Sequence, residues 1–380
     1  MLCYNISERS QLPPMSDYSI EKNKKFTLKL RELIQTFPRF CTDFFRGIEN
    51  ITGIMTRYGY AVDLRTFFTY LLGAGLCNDA QTIRDIDIAV LEKVDPITIE
   101  CFLEYVSMYQ KNDDSSEFII NGERAKARKL AAVRALFKYL YKKGFIKNNA
   151  PALVDTPKLH EKPIVRLEPD EMAKLLSTVE SGDGLTKKQK QYHQSNAIRD
   201  TAIITLFLGT GMRISELVGI DIDDINFMSN EIRITRKGGN DEQIVFGADV
   251  RRALLEYMVY REGIAALDGH EKALFLSMQR KRMSVRSLEL LVKKYAEIAA
   301  PLKKISPHKL RSTYGTMLYR ETGDIYLVAD VLGHKDVNTT RKHYAAMSED
   351  RRRLAAEIVK LHDDTADNAS PPLPTNNKDS

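Results

Sequence analysis

The chain has 380 residues, 43% of them hydrophobic and 28% charged, so it is long enough for two domains and has an ordinary globular composition. Its formal net charge of +6 is only a weak indication of nucleic-acid binding, because the clustering of charge matters more than the total. No apolar run is long enough to span a membrane, and the first residues lack the pattern of a secretion signal, so we expect neither a membrane segment nor export.

The cysteine pattern excludes two further classes. Cys3, Cys41, Cys77 and Cys101 lie far apart and form no CxxC pair. This spacing argues against a zinc site and a disulfide framework, and it fits a reducing cytoplasm. The sequence also has no nucleotide-binding loop and no cluster of carboxylates for a metal, so we expect no cofactor.

The first part of the chain has helical patterns throughout. Residues 1–25 are polar and mixed, which predicts a loose tail. From Phe26 to Glu49 apolar residues recur at three- and four-residue steps, a second helical stretch covers 55–75, and two more lie within 86–110. Together with the segment that comes after them, these patterns predict an all-α domain over residues 26–150.

The fifth helical segment, Arg124 to Lys147, has nine basic residues and no acidic one. Its apolar stripe consists of Leu130, Val133, Phe137 and Leu140, and another face contains Arg134, Lys138 and Lys142. Most charge runs are solvated faces, but a helix with one core face and one purely cationic face is suited to lie along a phosphate backbone. We therefore favour nucleic-acid binding by this helix.

The second part of the chain begins after a proline-bearing segment. Residues 151–167 contain three prolines and little periodicity, which predicts an extended linker. A helix begins at Glu168, residues 181–195 are interpreted as a flexible basic insertion, and helical periodicity returns over 197–211.

A change in pattern then predicts strands. EIRIT and EQIVF alternate around the turn KGGND, which is typical of a β-hairpin. Helices resume from Asp249, and the polar, proline-bearing residues 363–380 predict a disordered tail.

Six residues suited to attack on a phosphodiester stand in one order in the second part. They are Arg213 in GTGMRISEL, Lys237 in TRKGGN, His308 and Arg311 in SPHKLRSTYGT, His334 in VLGHKD, and Tyr344 in RKHYAAM. Each has an ordinary structural interpretation: Arg213 could pair with Glu216, and Lys237 could be solvated at the hairpin tip. Pro307 favours a helix start just before His308 and Arg311, and the N-terminus of a helix is a natural phosphate site. The order and spacing of all six are specific, and the set needs no metal.

The stretches GTGMRISELVGIDIDDI, HKLRSTYGTMLY and VLGHKDVNTTRKHY resemble the characteristic boxes of the tyrosine recombinase (phage integrase) family. The resemblance covers about residues 26–362 and implies a two-domain DNA clamp, mainly α with a small antiparallel β-sheet in the catalytic domain. Residues 26–150 would be the helical core-binding domain and 168–362 the catalytic domain. The tail before residue 26 is too short for a separate arm-site domain, which favours an Xer-like or Cre-like architecture.

The resemblance also implies a role for each residue. Arg213 and Arg311 would hold the non-bridging oxygens of the scissile phosphate and stabilise the charge of the transition state. Lys237 would protonate the leaving 5′ oxygen. His308 would assist proton transfer, and His334 would donate a hydrogen bond to the phosphate region.

The nucleophile implied by the resemblance is Tyr344, which would form a 3′-phosphotyrosyl link. A free phenol has a pKa of about 10, and adjacent cations would favour its ionised form. Tyr314, Tyr319 and Tyr326 are rival tyrosines nearby, and Tyr314 is interpreted as a packing residue. Ser312 departs from the family pattern, in which a histidine is frequent at that position.

The implied partners are double-stranded DNA with a specific core site and further copies of this chain. The residues expected to bind DNA are Arg57, Arg124, Lys126, Arg128, Lys129, Arg134, Lys138 and Lys142. Four protomers would exchange strands between two sites through a Holliday junction, and the final helix, around residues 348–362, would dock into a neighbouring protomer. The sequence does not distinguish integration and excision from inversion or chromosome-dimer resolution.

Three alternatives stay open on the sequence. A type IB topoisomerase would share the chemistry without pairing two sites. A non-catalytic DNA-binding protein could use the same fold, although the complete set of six residues counts against it. A metal-dependent nuclease would need a carboxylate cluster, and the sequence has none.

Overall fold

The computed structural model describes residues 17–77, 80–110, 117–159, 164–236 and 241–334, and residue 337. The chain divides into two compact units, with the boundary between residues 163 and 164. Residues Ile234–Glu242 are grouped with the first unit. None of the helices in the described part of the chain is long and apolar enough to cross a membrane.

The described part of the first unit is a bundle of six helices with a small two-stranded sheet. The helices are α1 (Asp17–Ile34), α2 (Arg39–Gly47), α3 (Ile54–Gly73), α4 (Ile88–Lys93), α5 (Pro96–Tyr105) and α6 (Glu123–Lys142). Aromatic side chains fill the core, where Phe67 of α3 packs edge-on against Phe102 of α5 and Phe137 of α6. The predicted apolar stripe of α6 is confirmed, because its four members are fully buried.

Two predictions for this unit are wrong in part. The helix α1 begins at Asp17, so residues 17–25 are helical rather than part of a loose tail; α1 packs along α3, and Phe26 meets the ring of Tyr58 edge-on. The unit is also not all-α, because β1 (Met108–Gln110) and β2 (Phe118–Ile120) pair antiparallel. Three-residue strands are too short to produce a clear alternating pattern.

From residue 164 onward, the described part of the chain forms seven helices and a three-stranded antiparallel sheet. The helices are α7 (Pro169–Ser181), α8 (Lys187–Thr210), α9 (Ile214–Gly219), α10 (Ala248–Glu262), α11 (Val285–Ala299), α12 (Pro307–Thr322) and α13 (Ile325–Val331). The strands β3 (Ile225–Asn226), β4 (Glu231–Thr235) and β5 (Asp241–Val245) follow one another in the sheet. The predicted hairpin and the mainly α fold with a small antiparallel sheet are confirmed.

The long helix α8 is central to the second unit, since it packs against α7, α10 and α12. Near its middle, Asp200 is buried and accepts hydrogen bonds from Lys294 and Tyr295 of α11. Arg199 also pairs with Asp200 and donates to the main-chain oxygen of Leu276. These contacts fix the middle of α8 against α11 and the segment around Leu276.

The interpretation of residues 181–195 as a flexible insertion is wrong. Helix α8 begins at Lys187, where Thr186 and Gln189 form a reciprocal capping box. His193 is buried, and its Nε2 lies 2.8 Å from the main-chain oxygen of Val179. The lysines at the start of α8 obscured its pattern, because the polar first turns are exposed while the packed side begins only at His193.

Candidate active site

Four of the six candidate residues lie in the described part of the second unit. Arg213 precedes α9, His308 and Arg311 are on α12, and His334 follows α13. Lys237 and Tyr344 lie outside the described residues, as do the final helix and the tail over 363–380.

Arg311 is held from two sides by main-chain oxygen atoms. Its side chain is buried, Nη1 donates to the oxygen of Gly211 at 2.7 Å, and Nη2 donates to the oxygen of Leu332. Gly211 ends α8 in the left-handed conformation with φ of 62°, and a Cβ there would lie 2.4 Å from Cδ1 of Tyr314. A glycine is therefore required for this turn to bring its carbonyl group to Arg311.

Arg213 is positioned by a buried carboxylate. The main-chain N–H of Arg213 donates to Oε2 of Glu216 at 2.7 Å, and Nη1 donates to Oε1 at 2.8 Å. The Glu216 side chain is only 2% exposed, whereas that of Arg213 is 33% exposed. The buried carboxylate thus fixes an arginine whose guanidinium group still reaches the surface.

The two arginines meet at one turn of the chain. Nη2 of Arg213 donates to the oxygen of Gly333 at 3.1 Å, and Arg311 donates to that of the preceding residue, Leu332. His334 is the next residue, and its main-chain N–H donates to Ala329 at 2.8 Å. The fold therefore brings Arg213, Arg311 and His334 together, although 120 residues separate the first arginine from Gly333.

His308 lies at the start of the same helix as Arg311. Pro307 is the first residue of α12, as the sequence predicts, and the N-cap residue Ser306 makes no side-chain cap hydrogen bond. The His308 side chain is exposed one turn before Arg311, where the helix N-terminus favours an anion. Ser312 donates its hydroxyl to the main-chain oxygen of His308 at 3.0 Å, which gives this departure from the family pattern a local role.

Tyr314 is a packing residue, as predicted. It packs against a small cluster around Val328 and Leu332, and burial raises the pKa of its phenol. Tyr319 packs against the same cluster, whereas Tyr326 is 71% exposed. Burial and a raised pKa both disfavour Tyr314 as a nucleophile.

Two of the predicted DNA-binding residues on α6, Lys129 and Arg134, have partners inside the first unit. Lys129 is 4% exposed, and its Nζ lies 3.3 Å from Oδ1 of the fully buried Asp63 on α3. Burial raises the pKa of Asp63, and the charges of Lys129 and Arg128 oppose that shift. Arg134 is only partly exposed and donates to two main-chain oxygens and to the Thr156 hydroxyl. Both side chains serve the packing of the first unit, which disfavours them as phosphate ligands.

The other predicted DNA-binding residues differ in their surroundings. Arg57 pairs with Glu49 at 2.6 Å, and Lys126 pairs with Glu123 at 2.7 Å. Arg128 reaches Asp63 at 2.5 Å while half of its side chain is exposed. The predicted DNA-binding residues that α6 leaves exposed are Arg124, Arg128, Lys138 and Lys142.

The sequence interpretation considered Glu216 only as an alternative to catalysis, but the structure makes it the anchor of Arg213. The spacing Arg-x-x-Glu at a helix start is the signal that could have indicated this. The sequence cannot indicate which main-chain carbonyl groups hold the arginines, because every residue has one. Here they are those of Gly211, Leu332 and Gly333. In the described ranges, no group of three or more His, Cys, Asp or Glu side chains is placed to hold a metal ion.

This chain is similar in sequence to known tyrosine recombinases. The model of the phage integrase family matches residues 165–351. Tyrosine recombinase XerC of Caldanaerobacter subterraneus subsp. tengcongensis is 35% identical over 331 residues, covering 83% of this chain and 86% of that protein. Tyrosine recombinase XerS of Streptococcus uberis is 29% identical over 357 residues, covering 87% of this chain and 98% of its own length.

Solved structures share the fold at low sequence identity. The XerH site-specific recombinase bound to difH substrate has a TM-score of 0.60 at 19% identity, covering 93% of this chain and 92% of that one. The Tn1549 transposon integrase in complex with transposon right end DNA has a TM-score of 0.57 at 20% identity, covering 84% and 99%.

Proposed function

Because this chain belongs to the phage integrase family of tyrosine recombinases, enzymes that cut and rejoin DNA, we propose a specific role for each residue of its candidate site. Site-specific recombination is the function of the chain, and membership of this family does not favour the topoisomerase or the non-catalytic alternative. The reaction requires a phosphate clamp, a nucleophile and a proton donor, and this chain has a candidate for each.

The observation that carries the proposal is the convergence of Arg213 and Arg311 on the consecutive carbonyls of Gly333 and Leu332. Two planar guanidinium groups held this close form a fork for the two non-bridging oxygens of one phosphate. Since both are anchored before DNA binds, they need little reorganisation as charge develops in the transition state. His334 follows this turn and would donate a hydrogen bond to the same phosphate.

Tyr344 is the nucleophile in this proposal. Its phenol oxygen attacks the phosphorus, the bond to the 5′ oxygen breaks, and a 3′-phosphotyrosyl ester forms. Lys237 gives the proton that the departing 5′ oxygen takes up, and His308, at the start of α12, assists proton transfer by taking up the proton that the Tyr344 phenol loses. The ester retains the energy of the broken bond, so rejoining by a 5′ hydroxyl needs no nucleotide cofactor.

The two parts of the chain would divide the work on DNA. Residues 26–150 would bind the duplex as a core-binding domain, residues 168–362 would carry catalysis, and the linker 151–167 would let the two clamp the duplex. We restrict the cationic face of α6 in this proposal to Arg124, Lys138 and Lys142, because these exposed side chains can reach a phosphate without breaking an ion pair to the buried Asp63, whereas Arg128 and Lys129 both contact that carboxylate.

Assembly and biological setting complete the proposal. Four protomers in the cytoplasm would bind two core sites and exchange strands through a Holliday junction, with the final helix docked into a neighbouring protomer. The similar proteins are named as Xer recombinases and as a transposon integrase. For this chain, these names are compatible with a role in chromosome-dimer resolution and with one in the movement of a mobile element.

Covalent capture tests this proposal without requiring a defined target sequence. The protein is incubated with a pool of nicked duplexes of random sequence in EDTA, and DNA that migrates with the protein on a denaturing gel is amplified and reselected. We expect an adduct that enriches one inverted-repeat sequence and disappears in Tyr344→Phe. An adduct that persists in Tyr344→Phe, or that forms only with magnesium, would contradict the mechanism.

A further inference from the structure

The face of α12 opposite Arg311 is hydrogen-bonded to Leu167, the last residue of the predicted linker 151–167. Thr313 is fully buried, and its hydroxyl accepts a hydrogen bond from the main-chain N–H of Leu167 at 3.0 Å. The same hydroxyl donates to the main-chain oxygen of Lys309 at 2.9 Å. Because successive helical residues are rotated by about 100°, Thr313 lies almost opposite Arg311 on the helix.

A second contact lies two turns further along the same face. Arg320 follows Thr313 by seven residues, and its Nη1 lies 3.2 Å from Oε2 of Glu168, the neighbour of Leu167. Lys303, in the loop before α12, reaches Oε2 of Glu171 at 2.5 Å. We call residues Leu167–Glu171, with their contacts to Lys303, Thr313 and Arg320, the α12 seam.

The α12 seam and the candidate site hold one helix from two sides. On one side Arg311 is fixed by the carbonyls of Gly211 and Leu332, and on the other Thr313 is fixed by the N–H of Leu167. Leu167 is 2% exposed, so water cannot readily replace the lost partner if the Thr313 hydroxyl is removed. A shift of the seam would rotate or slide α12 and displace both His308 and Arg311.

We propose that Thr313 is a positioning residue for DNA cleavage, which sets the place of Arg311 and His308 by tying α12 to the end of the predicted linker. This inference rests on the proposed function, since it takes Arg311 and His308 as the groups that act on the phosphate. Thr313 does not touch DNA in this scheme. Its effect is on the cleavage step, because small misplacements of a reacting group are costly to the rate.

The chain offers a matched control on the same helix. Thr316 is also buried, at 2% exposed, but its hydroxyl has no hydrogen-bond partner among the residues that the structure describes. Threonine and valine have nearly the same shape, so Thr313→Val and Thr316→Val make the same change in the same helix. Only the first removes the acceptor for the N–H of Leu167.

The test is single-turnover cleavage of a nicked duplex at saturating protein, with DNA affinity and thermal unfolding measured on each variant. We expect Thr313→Val to cleave about 10- to 100-fold more slowly with DNA affinity unchanged within about twofold, the pattern of a misplaced catalytic group. Thr313→Ser, which keeps the hydroxyl, should recover most of the rate, and Thr316→Val should cleave like the natural protein.

Equal rates for the two valine variants would overturn the proposal, and so would a loss in Thr313→Val that Thr313→Ser does not recover. If Thr313→Val does not fold, the exposed part of the α12 seam gives a second test. Glu168→Gln and Arg320→Gln should each slow cleavage about two- to fivefold at unchanged affinity, and natural rates in both would overturn the proposal. If the natural protein itself forms no Tyr344-dependent adduct, the proposed function fails rather than the α12 seam.

Discussion

Each arginine of the candidate site is held by protein acceptors through both of its terminal nitrogen atoms. Arg311 donates to Gly211 and Leu332, and Arg213 donates to Glu216 and Gly333. A guanidinium group has five donors in a rigid fork, so it can be fixed by the protein and still present N–H groups to a phosphate. A lysine has no such geometry, because its three donors share one nitrogen.

A conservative substitution should therefore be severe. Arg311→Lys keeps the positive charge but cannot bridge the oxygens of Gly211 and Leu332 while holding a phosphate. We expect the single-turnover cleavage rate to fall about 100- to 1,000-fold, as for loss of one donor to a transition-state oxyanion. Affinity for DNA, measured by gel shift, should change only a few-fold.

The control for this variant is Arg252→Lys, since Arg252 is an exposed residue of α10 that pairs only with the equally exposed Asp249 in the contacts described. It should cleave at the natural rate. Cleavage by Arg311→Lys within about threefold of the natural protein would show that a single cation suffices and would argue against a two-oxygen fork.

At the residue scale, the sequence could indicate which side chains are suited to the chemistry but not which groups hold them in place. The order of Arg213, His308, Arg311 and His334 was informative because side-chain types decide the chemistry. The partners of the arginines are mostly main-chain carbonyls, which every residue has. The ion pair of Lys129 was hidden for a related reason, since its partner Asp63 lies more than 60 positions away.

At the element scale, helix α6 combines a buried ion pair with the exposed basic face that we propose binds DNA. Lys129 faces α3 and neutralises the buried Asp63, while Lys138 and Lys142 are exposed one turn apart. A buried ion pair and a phosphate-binding face respond to different perturbations. Removing Lys129 leaves the buried Asp63 with only the half-exposed Arg128 as an ionic partner, whereas removing an exposed lysine should change the salt dependence of DNA binding.

These responses can be separated by two variants of α6. Lys129→Met should lower the free energy of unfolding by at most about 3–5 kcal/mol, because Asp63 loses its buried partner and keeps only the half-exposed Arg128, and should leave the salt dependence of DNA affinity unchanged in the folded protein. The double variant Lys138→Ala, Lys142→Ala should keep its stability but reduce the slope of log affinity against log salt by about 1–2.

Urea unfolding and gel shifts at several salt concentrations give both quantities. A reduced salt slope in folded Lys129→Met would place Lys129 at the phosphate backbone after all. An unchanged slope in the double variant would remove the exposed face of α6 from the DNA interface.

Helices and strands could be predicted from the sequence where one periodic pattern of apolar residues extends through the whole element. The buried stripe of α6, the β4–β5 hairpin and the start of α12 at Pro307 agree with the sequence. The start of α8 was missed because its first turns are polar, although Thr186 and Gln189 carry a capping signal. The β1–β2 pair was missed because Met108, Phe118 and Ile120 are exposed apolar residues without a buried alternation.

Strand exchange between two DNA sites requires several copies of the whole chain to assemble. The proposal assigns this to the final helix, where Leu354, Ile358 and Leu361 form an apolar stripe in the sequence. Linking protomers through such contacts raises the effective concentration of one bound copy near another. Assembly and activity would then depend on each other.

Deletion of residues 348–380 retains Tyr344 and tests this dependence. We expect affinity for a single half-site to stay within about threefold, while paired-site complexes and recombination products fall at least about tenfold. Deletion of residues 363–380 alone, the predicted disordered tail, is the control and should recombine normally. Normal recombination by the longer deletion would contradict a role of the final helix in assembly.

The central claim is that one tyrosine becomes covalently joined to DNA, and peptide mapping of the adduct tests it most directly. The captured complex is digested with nuclease and protease, and the peptide that carries the remaining nucleotide is identified by mass spectrometry. Our account predicts a 3′-linked nucleotide on Tyr344 and on no other residue. A nucleotide on Tyr314, Tyr319 or Tyr326, or one linked through its 5′ phosphate, would contradict it.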